Sequence, residues 1–272
     1  MPQIRLDLPP ERALEFFGRK GLNTSFAWQD LLRTEHDAAF TVAKMMDVDL
    51  LREMREAVDD AIADGMTLAE FRERIRPTLV ERGWWGRATM EDPLTGEMTD
   101  VQLGSTRRLR TIFNTNLRTS YAAGHWSAIE DTMDEAPYLL YDAVDDEATR
   151  DQHRQWDGTV LRADDPWWDT RFPPNGWGCR CSVIQLDDEQ LQAMGKSGPD
   201  RPPRQRDREW TNPRTGEVEV VPEGVDPGWN YHPGRARADE VRDLLAQKIR
   251  QAGPGAQAAA DVVDRERRRS DD

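Results

Sequence analysis

The sequence predicts an α+β fold: a mostly helical N-terminal half, then a small α+β knot of Cys and His residues, then an extended or disordered C-terminal tail. Three observations predict it. Apolar residues recur at spacings of three and four through most of 37–132. After that, short runs such as "PYLLYDAV" and "CRCSVIQL" alternate with loops rich in Gly, Pro and Trp. Beyond "AGPGAQ" no apolar period remains. The expected regions are an N-terminal arm over 1–36, a helical region over 37–135, an α+β core with a CxC strand over 136–235, and a C-terminal helix and tail over 236–272.

Pro9 and Pro10 lead into a short helix around 11–17. The stretch 37–64 reads as helical. Leu50, Met54 and Val58, with Leu51 nearby and then Ala61 and Ile62, form one stripe, and Gly65 ends it. Thr67 with Glu70 is a capping box opening the next helix, whose inner face is Leu68, Phe71, Ile75 and Leu79. Pro77 implies a kink or break in its last turns. "EDPLTGEMTD" (91–100) suggests a hairpin around Thr95-Gly96. A long helix is expected over 105–132, with Asn116 on its apolar face and Gly124 allowing close backbone approach.

"PYLLYDAV" is a strand. Asp145 or Asp146 can cap a short helix carrying Arg150, His153, Arg154 and Trp156, which Gly158 closes. "TVLRA" is a short strand, 164–178 a loop, and "CRCSVIQL" a strand that puts Cys179, Cys181 and Val183 on one face. A short helix over 187–194 and a polar linker follow, then a hairpin turning at Thr215-Gly216, an extended "DPGWNYHPG" and a last helix over 237–251. No internal repeat is evident.

Of the 272 residues, 37% are hydrophobic and 32% charged, a modest core for this length. No apolar run approaches the roughly 18 residues of a membrane span. The N-terminus lacks the basic-then-apolar pattern of a secretory signal, so cytoplasmic synthesis is expected. A net charge of −14 argues against general nucleic-acid binding. The one basic run, Arg265 to Arg269, is a solvated tail or a short DNA contact.

Only two cysteines occur, Cys179 and Cys181, in "PPNGWGCRC". Too few for a disulfide framework, they fit a reducing compartment. Two sulfurs at i and i+2 on one face are poorly placed for a mutual disulfide but well placed to share an ion. Zinc wants four such ligands, and His153 is the natural third, with Asp151, Asp157 or Asp145 as fourth. A metal-free knot of packed cysteines, with His153 bonded to a carboxylate, stays open beside it. So does a Cys-His nucleophile, though no oxyanion loop is evident. His36, His125 and His232 read as structural or exposed. The ten tryptophans, several in loops (Trp84, Trp85, Trp167, Trp168, Trp177, Trp229), divide between partner anchors and core filling.

The segments "LVERGWWG", "LGSTRRLRTIFNTNLRTSYAAGHW", "YDAVDDEATRDQHRQWDGTV", "PPNGWGCRC" and "VDPGWNYHPG" occur in an order that resembles the Mu F-like minor head proteins of tailed phages and prophages, the phage head morphogenesis family. The resemblance covers about 37–235. It carries the family pattern onto Asp146, Arg150, His153, Gly158, Pro173, Pro174, Asn175, Cys179, Arg180 and Cys181, and onto Asn116 and Arg118 in the long helix. His232 stands where Asn is expected. The resemblance implies a virion component at or near the portal vertex, made in the host cytoplasm, acting in head assembly or in DNA packaging and delivery. It implies contact with the portal protein, with major capsid or scaffold protein and packaged DNA as further candidates, no membrane, and no enzyme activity. The rivals are a metal- or Cys-dependent enzyme centred on His153, Cys179 and Cys181, and a DNA-contacting portal plug.

Overall fold

The computed structural model describes residues 10–235 except Thr34 and Gln205. The expected last helix over 237–251, the basic run and most of the tail lie outside the described residues, as does the start of the N-terminal arm. The elements in order are α1 (Pro10–Gly18), β1 (Gly21–Leu22), a 3-10 turn (Trp28–Asp30), α2 (Glu35–Ala38), β2 (Ala39–Phe40), α3 (Val48–Ala63), α4 (Leu68–Glu81), β3 (Arg87–Glu91), β4 (Met98–Gln102) and α5 (Thr106–Thr132). Then follow β5 (Tyr138–Asp142), α6 (Asp151–Trp156), β6 (Val160–Arg162), α7 (Trp168–Arg171), β7 (Ser182–Leu186), α8 (Asp188–Ala193), β8 (Asp207–Thr211) and β9 (Val218–Pro222). The α+β expectation holds. None of these helices is long and apolar enough to cross a membrane. The described residues divide into two compact units, one of 17–116 and one of 10–16 with 117–235.

In the first unit the α3 stripe is buried as its periodicity requires, through Leu50, Leu51, Met54, Val58, Ala61 and Ile62. The helix starts later than expected. Asp47 caps it, accepting from the amides of Asp49 and Leu50, while Ala39–Phe40 pairs as a parallel strand with Gly21–Leu22. The Thr67–Glu70 capping box of α4 is present. Of the kink or break expected at Pro77, the break does not occur, and α4 runs on to Glu81. Proline and Glu73, whose carbonyl loses its donor, are both exposed, so water can satisfy that oxygen. Phe71 of α4 packs on Phe113 at 5.2 Å between ring centres. Gly104 is needed where it stands: a Cβ there would lie 2.5 Å from the Trp84 carbonyl oxygen and 2.6 Å from the Trp85 ring.

The second unit is built on an antiparallel sheet in the order β6-β5-β7. Leu139 and Tyr141 of β5 and Val183 of β7 point into a core with Trp126, Trp156, Trp167, Trp168, Phe172, Val221 and Trp229. Gly124 of α5 lets another backbone close in, since a Cβ there would meet Ala13 N at 2.9 Å. The expected 164–178 loop contains a turn of helix, α7, and the polar linker before residue 211 already includes strand β8.

The structure also shows a repeat that inspection of the sequence misses. Hairpins β3–β4 and β8–β9 turn on "DPLTGE" (92–97) and "NPRTGE" (212–217), one in each unit. Each turn has the same bonds. Gly96 N donates to Asp92 O at 2.7 Å and Gly216 N to Asn212 O at 2.8 Å. The Asx side chains accept from Leu94 N and Arg214 N, both at 2.9 Å. Gly96 and Gly216 have φ of 71° and 76°, the left-handed region such a turn needs.

Candidate functional site

The conspicuous polar cluster lies in the second unit, where α6, the 173–181 segment and the loop after β9 converge. Strand β7 begins at Ser182, so the CxC pair sits just before the strand rather than inside it. The expected convergence nonetheless holds. Cys181 Sγ is 3.5 Å and Cys179 Sγ 3.8 Å from His153 Nδ1, and the three donor atoms lie within 4.8 Å of one another. Cys179 and His153 are buried and Cys181 is half-buried.

Each group is oriented by its surroundings. His153 stacks on Trp156 at 5.3 Å with 16° between the rings. Its Nε2 is 2.8 Å from the Gly224 carbonyl, an acceptor, so that nitrogen carries the proton and the Nδ1 lone pair faces the sulfurs. The metal-free reading had His153 bonded to a carboxylate; its partner is this backbone carbonyl instead. The Arg118 guanidinium donates to the Cys179 carbonyl and fixes the CxC backbone. The hydrogen bond from Cys181 holds the Cys179 thiol well below its usual range against the opposing effect of burial. Cys181 is pushed up, first by that same bond to Cys179 and then by burial. The buried Tyr141 hydroxyl, raised by burial and then by the two sulfurs, also bonds Cys181 and accepts from Asn175 Nδ2 at 3.2 Å.

The other motif residues form a bonded frame around this centre. Arg180 grips Asp146 with two bonds of 2.6 and 2.5 Å. Asp146 was expected as a possible cap of α6; Arg150 occupies the N-cap position instead, without a side-chain cap bond. Asp146 serves the preceding loop, accepting from Ala148 N at 3.0 Å as well. Arg150 donates to Asp226 at 2.7 Å, and the same Asp226 oxygen accepts from Trp177 N at 2.9 Å. Asn175 is fully buried and donates to Arg171 O at 3.0 Å. Pro173 and Pro174, also buried, are joined by a cis peptide bond. Gly158 has φ of 72° just past α6, as a helix-closing glycine should. Asn116 donates to Ile112 O at 2.9 Å along its own helix, in the first unit.

Asp151, offered as a fourth ligand, is not brought to the centre. It is exposed, and its carboxylate accepts from Arg154 at 3.2 Å. Asp157 instead caps the Ala143 amide at 2.8 Å, and Asp145 is exposed. The residues missed from the sequence are Tyr141, Gly224 and Asp226. Tyr141 looked like an ordinary inward strand residue. Only the glycine and aspartate of "EGVDPG" hinted that this turn has a positional task.

The Arg180 bonds, ahead of the local amide, lower the Asp146 carboxyl to about 2. An unfolded aspartate titrates near 3.9. The pair's contribution is therefore complete above about pH 4 and is lost as pH falls towards about 2. Urea midpoints across that interval should fall less steeply for Asp146→Asn than for the wild type. Equal slopes would show the pair contributes nothing.

Residues 52–184 match the family model described as phage Mu protein F like protein. A putative capsid assembly protein F of Escherichia phage Mu is 37% identical over 271 residues, covering 92% of this chain and 61% of that protein. A Mu-like prophage F protein of Haemophilus influenzae is 42% identical over 174 residues, covering 64% of this chain and 41% of its own length. The chain thus spans about two fifths to three fifths of these relatives. No solved structure matches it. The matched segment carries Asp146, Arg150, His153 and the CxC pair, the same residues that frame the buried centre, and the chain belongs with the phage Mu F-like proteins.

Proposed function

We propose that the chain is a minor head protein that acts in phage head morphogenesis at or near the portal vertex. It contacts the portal protein there and aids assembly or the packaging and delivery of DNA. The observation that carries this reading is the likeness to the capsid assembly protein F over 92% of the chain. The geometry supports a structural rather than enzymatic role. Asp146, Arg150, Asn175 and Arg180 are each engaged in bonds that hold one loop to another. Cys179 is 4% exposed, which keeps a substrate from its sulfur. An acidic chain can also sit beside packaged DNA without binding it tightly.

The test is to delete the gene from the phage that encodes it and to count DNA-filled heads by electron microscopy, with cross-linking of the wild-type chain to the portal. Filled heads should become rare, and portal cross-links should appear with the wild-type chain. Normal yields of filled, infective heads would overturn the reading.

A further inference from the structure

We propose that His153 Nδ1 and the sulfurs of Cys179 and Cys181 bind one zinc ion. This inference stands on the site alone and does not depend on the role in the head. Zinc favours nitrogen and thiolate donors, with Zn–S near 2.3 Å and Zn–N near 2.0–2.1 Å. A tetrahedron of that size separates sulfur from nitrogen by about 3.6 Å. The two observed nitrogen–sulfur separations are 3.5 and 3.8 Å, close to that edge length, and all three donors lie within 4.8 Å of one another.

The surroundings match a metal better than a hydrogen-bonded trio. Nδ1 has one lone pair and faces two sulfurs, so it can accept from only one thiol. A cation between them satisfies all three donors, and two thiolates cancel its charge in a buried place. The protonated Nε2 rests on the Gly224 carbonyl, the arrangement that orients a metal-bound histidine and raises its basicity. Main-chain amides are also aimed at the sulfurs, that of Asn175 at Cys179 and that of Val144 at Cys181. A second observation points to a ligand here. Asn175, whose amide nitrogen bonds the Tyr141 hydroxyl beside Cys181, is fully buried, and its Oδ1 has no hydrogen-bond partner. Among the described residues no fourth His, Cys, Asp or Glu joins the group. The three donors leave one position of the tetrahedron for a ligand from outside the group.

The full chain, purified without chelator from zinc-supplemented medium, should carry about one zinc per molecule by plasma mass spectrometry, the count one such site holds. Replacing zinc by Co²⁺ should give the visible bands of tetrahedral cobalt with a thiolate charge-transfer band. Cys181→Ser alters a half-buried position and should keep the far-ultraviolet circular dichroism of the fold while losing both metal and bands. Asp151→Asn should keep both. Folded wild-type chain with no bound zinc and no cobalt bands would overturn the proposal. So would loss of metal from Asp151→Asn, or its full retention by folded Cys181→Ser.

Discussion

Gly224→Ala should destabilise the second unit by about 2–6 kcal/mol, enough to threaten folding of a domain of ordinary stability. Two effects combine. Gly224 has φ of 87°, where a side chain costs about 1–3 kcal/mol. A Cβ would also lie 2.5 Å from Gln152 Cγ and 2.8 Å from the Trp156 ring, both on α6. Trp156 is buried and cannot swing away, so the clash adds about 1–3 kcal/mol of overpacking. Relief by moving the backbone would withdraw the carbonyl that holds His153. Gly158→Ala is the control. Its φ is 72°, yet nothing lies within 4 Å of the new Cβ, so the cost should stay near 1–2 kcal/mol. Urea unfolding of the two variants separates conformational strain from crowding. Equal costs would show that the contact with α6 does not matter.

That comparison marks where the sequence stops speaking. Glycine announces itself as a turn residue, but its close neighbour is not written locally: His153 and Gly224 are 71 positions apart and Arg150 and Asp226 are 76 apart. Composition shows both charges and cannot pair them. The three-donor centre was readable because cysteine is rare here and i, i+2 spacing restricts where two sulfurs can go. The fourth ligand was not readable. The sequence offers an aspartate on α6, but Asp151 begins that helix on the side turned to solvent, whereas His153 is turned inward. Asp146 shows the same limit. A carboxylate before a helix is a cap by local rules, and a distant arginine with two matched donors takes it instead.

Helices with local signals were legible. The α3 and α4 stripes follow from spacing, and the Thr67–Glu70 box fixes the start of α4. Short strands were legible where alternation was strong, as in β5 with Leu139 and Tyr141 inward. β8 was lost in a polar linker because Asp207, Arg208 and Glu209 give no apolar alternation. Its pairing is decided by the turn at 212–217 and by β9 across it. The shared turn of the two hairpins was hidden because only four of its six residues coincide, and the backbone bonds that make them equivalent appear only in three dimensions.

The tryptophans carry the last prediction. In sequence they looked equally suited to partner anchoring and to filling a loop-rich core. The structure places Trp84, Trp167, Trp168 and Trp229 in the core, leaves Trp85 half-buried and exposes Trp177 at 37%. Trp167 touches three rings, lying edge-on to Tyr141 at 6.0 Å, to Trp156 at 5.3 Å and to Trp168 at 4.9 Å. These are the rings that back the sheet and the His153 stack. Removing it leaves a cavity the size of an indole, bordered by rings too large to collapse into it. Trp167→Ala should therefore cost about 3–5 kcal/mol. The more exposed Trp177 lies edge-on to Trp229 at 5.1 Å. Trp177→Ala should cost less, about 1.5 kcal/mol, because its exposed indole leaves no enclosed cavity. Denaturant midpoints of the two variants provide the test. A Trp177→Ala loss as large as that of Trp167→Ala would mean that the outer ring, not the inner cluster, holds the unit together. With stability preserved, Trp177→Ala would also separate folding from docking: reduced incorporation into heads would then report a lost contact on the exposed indole.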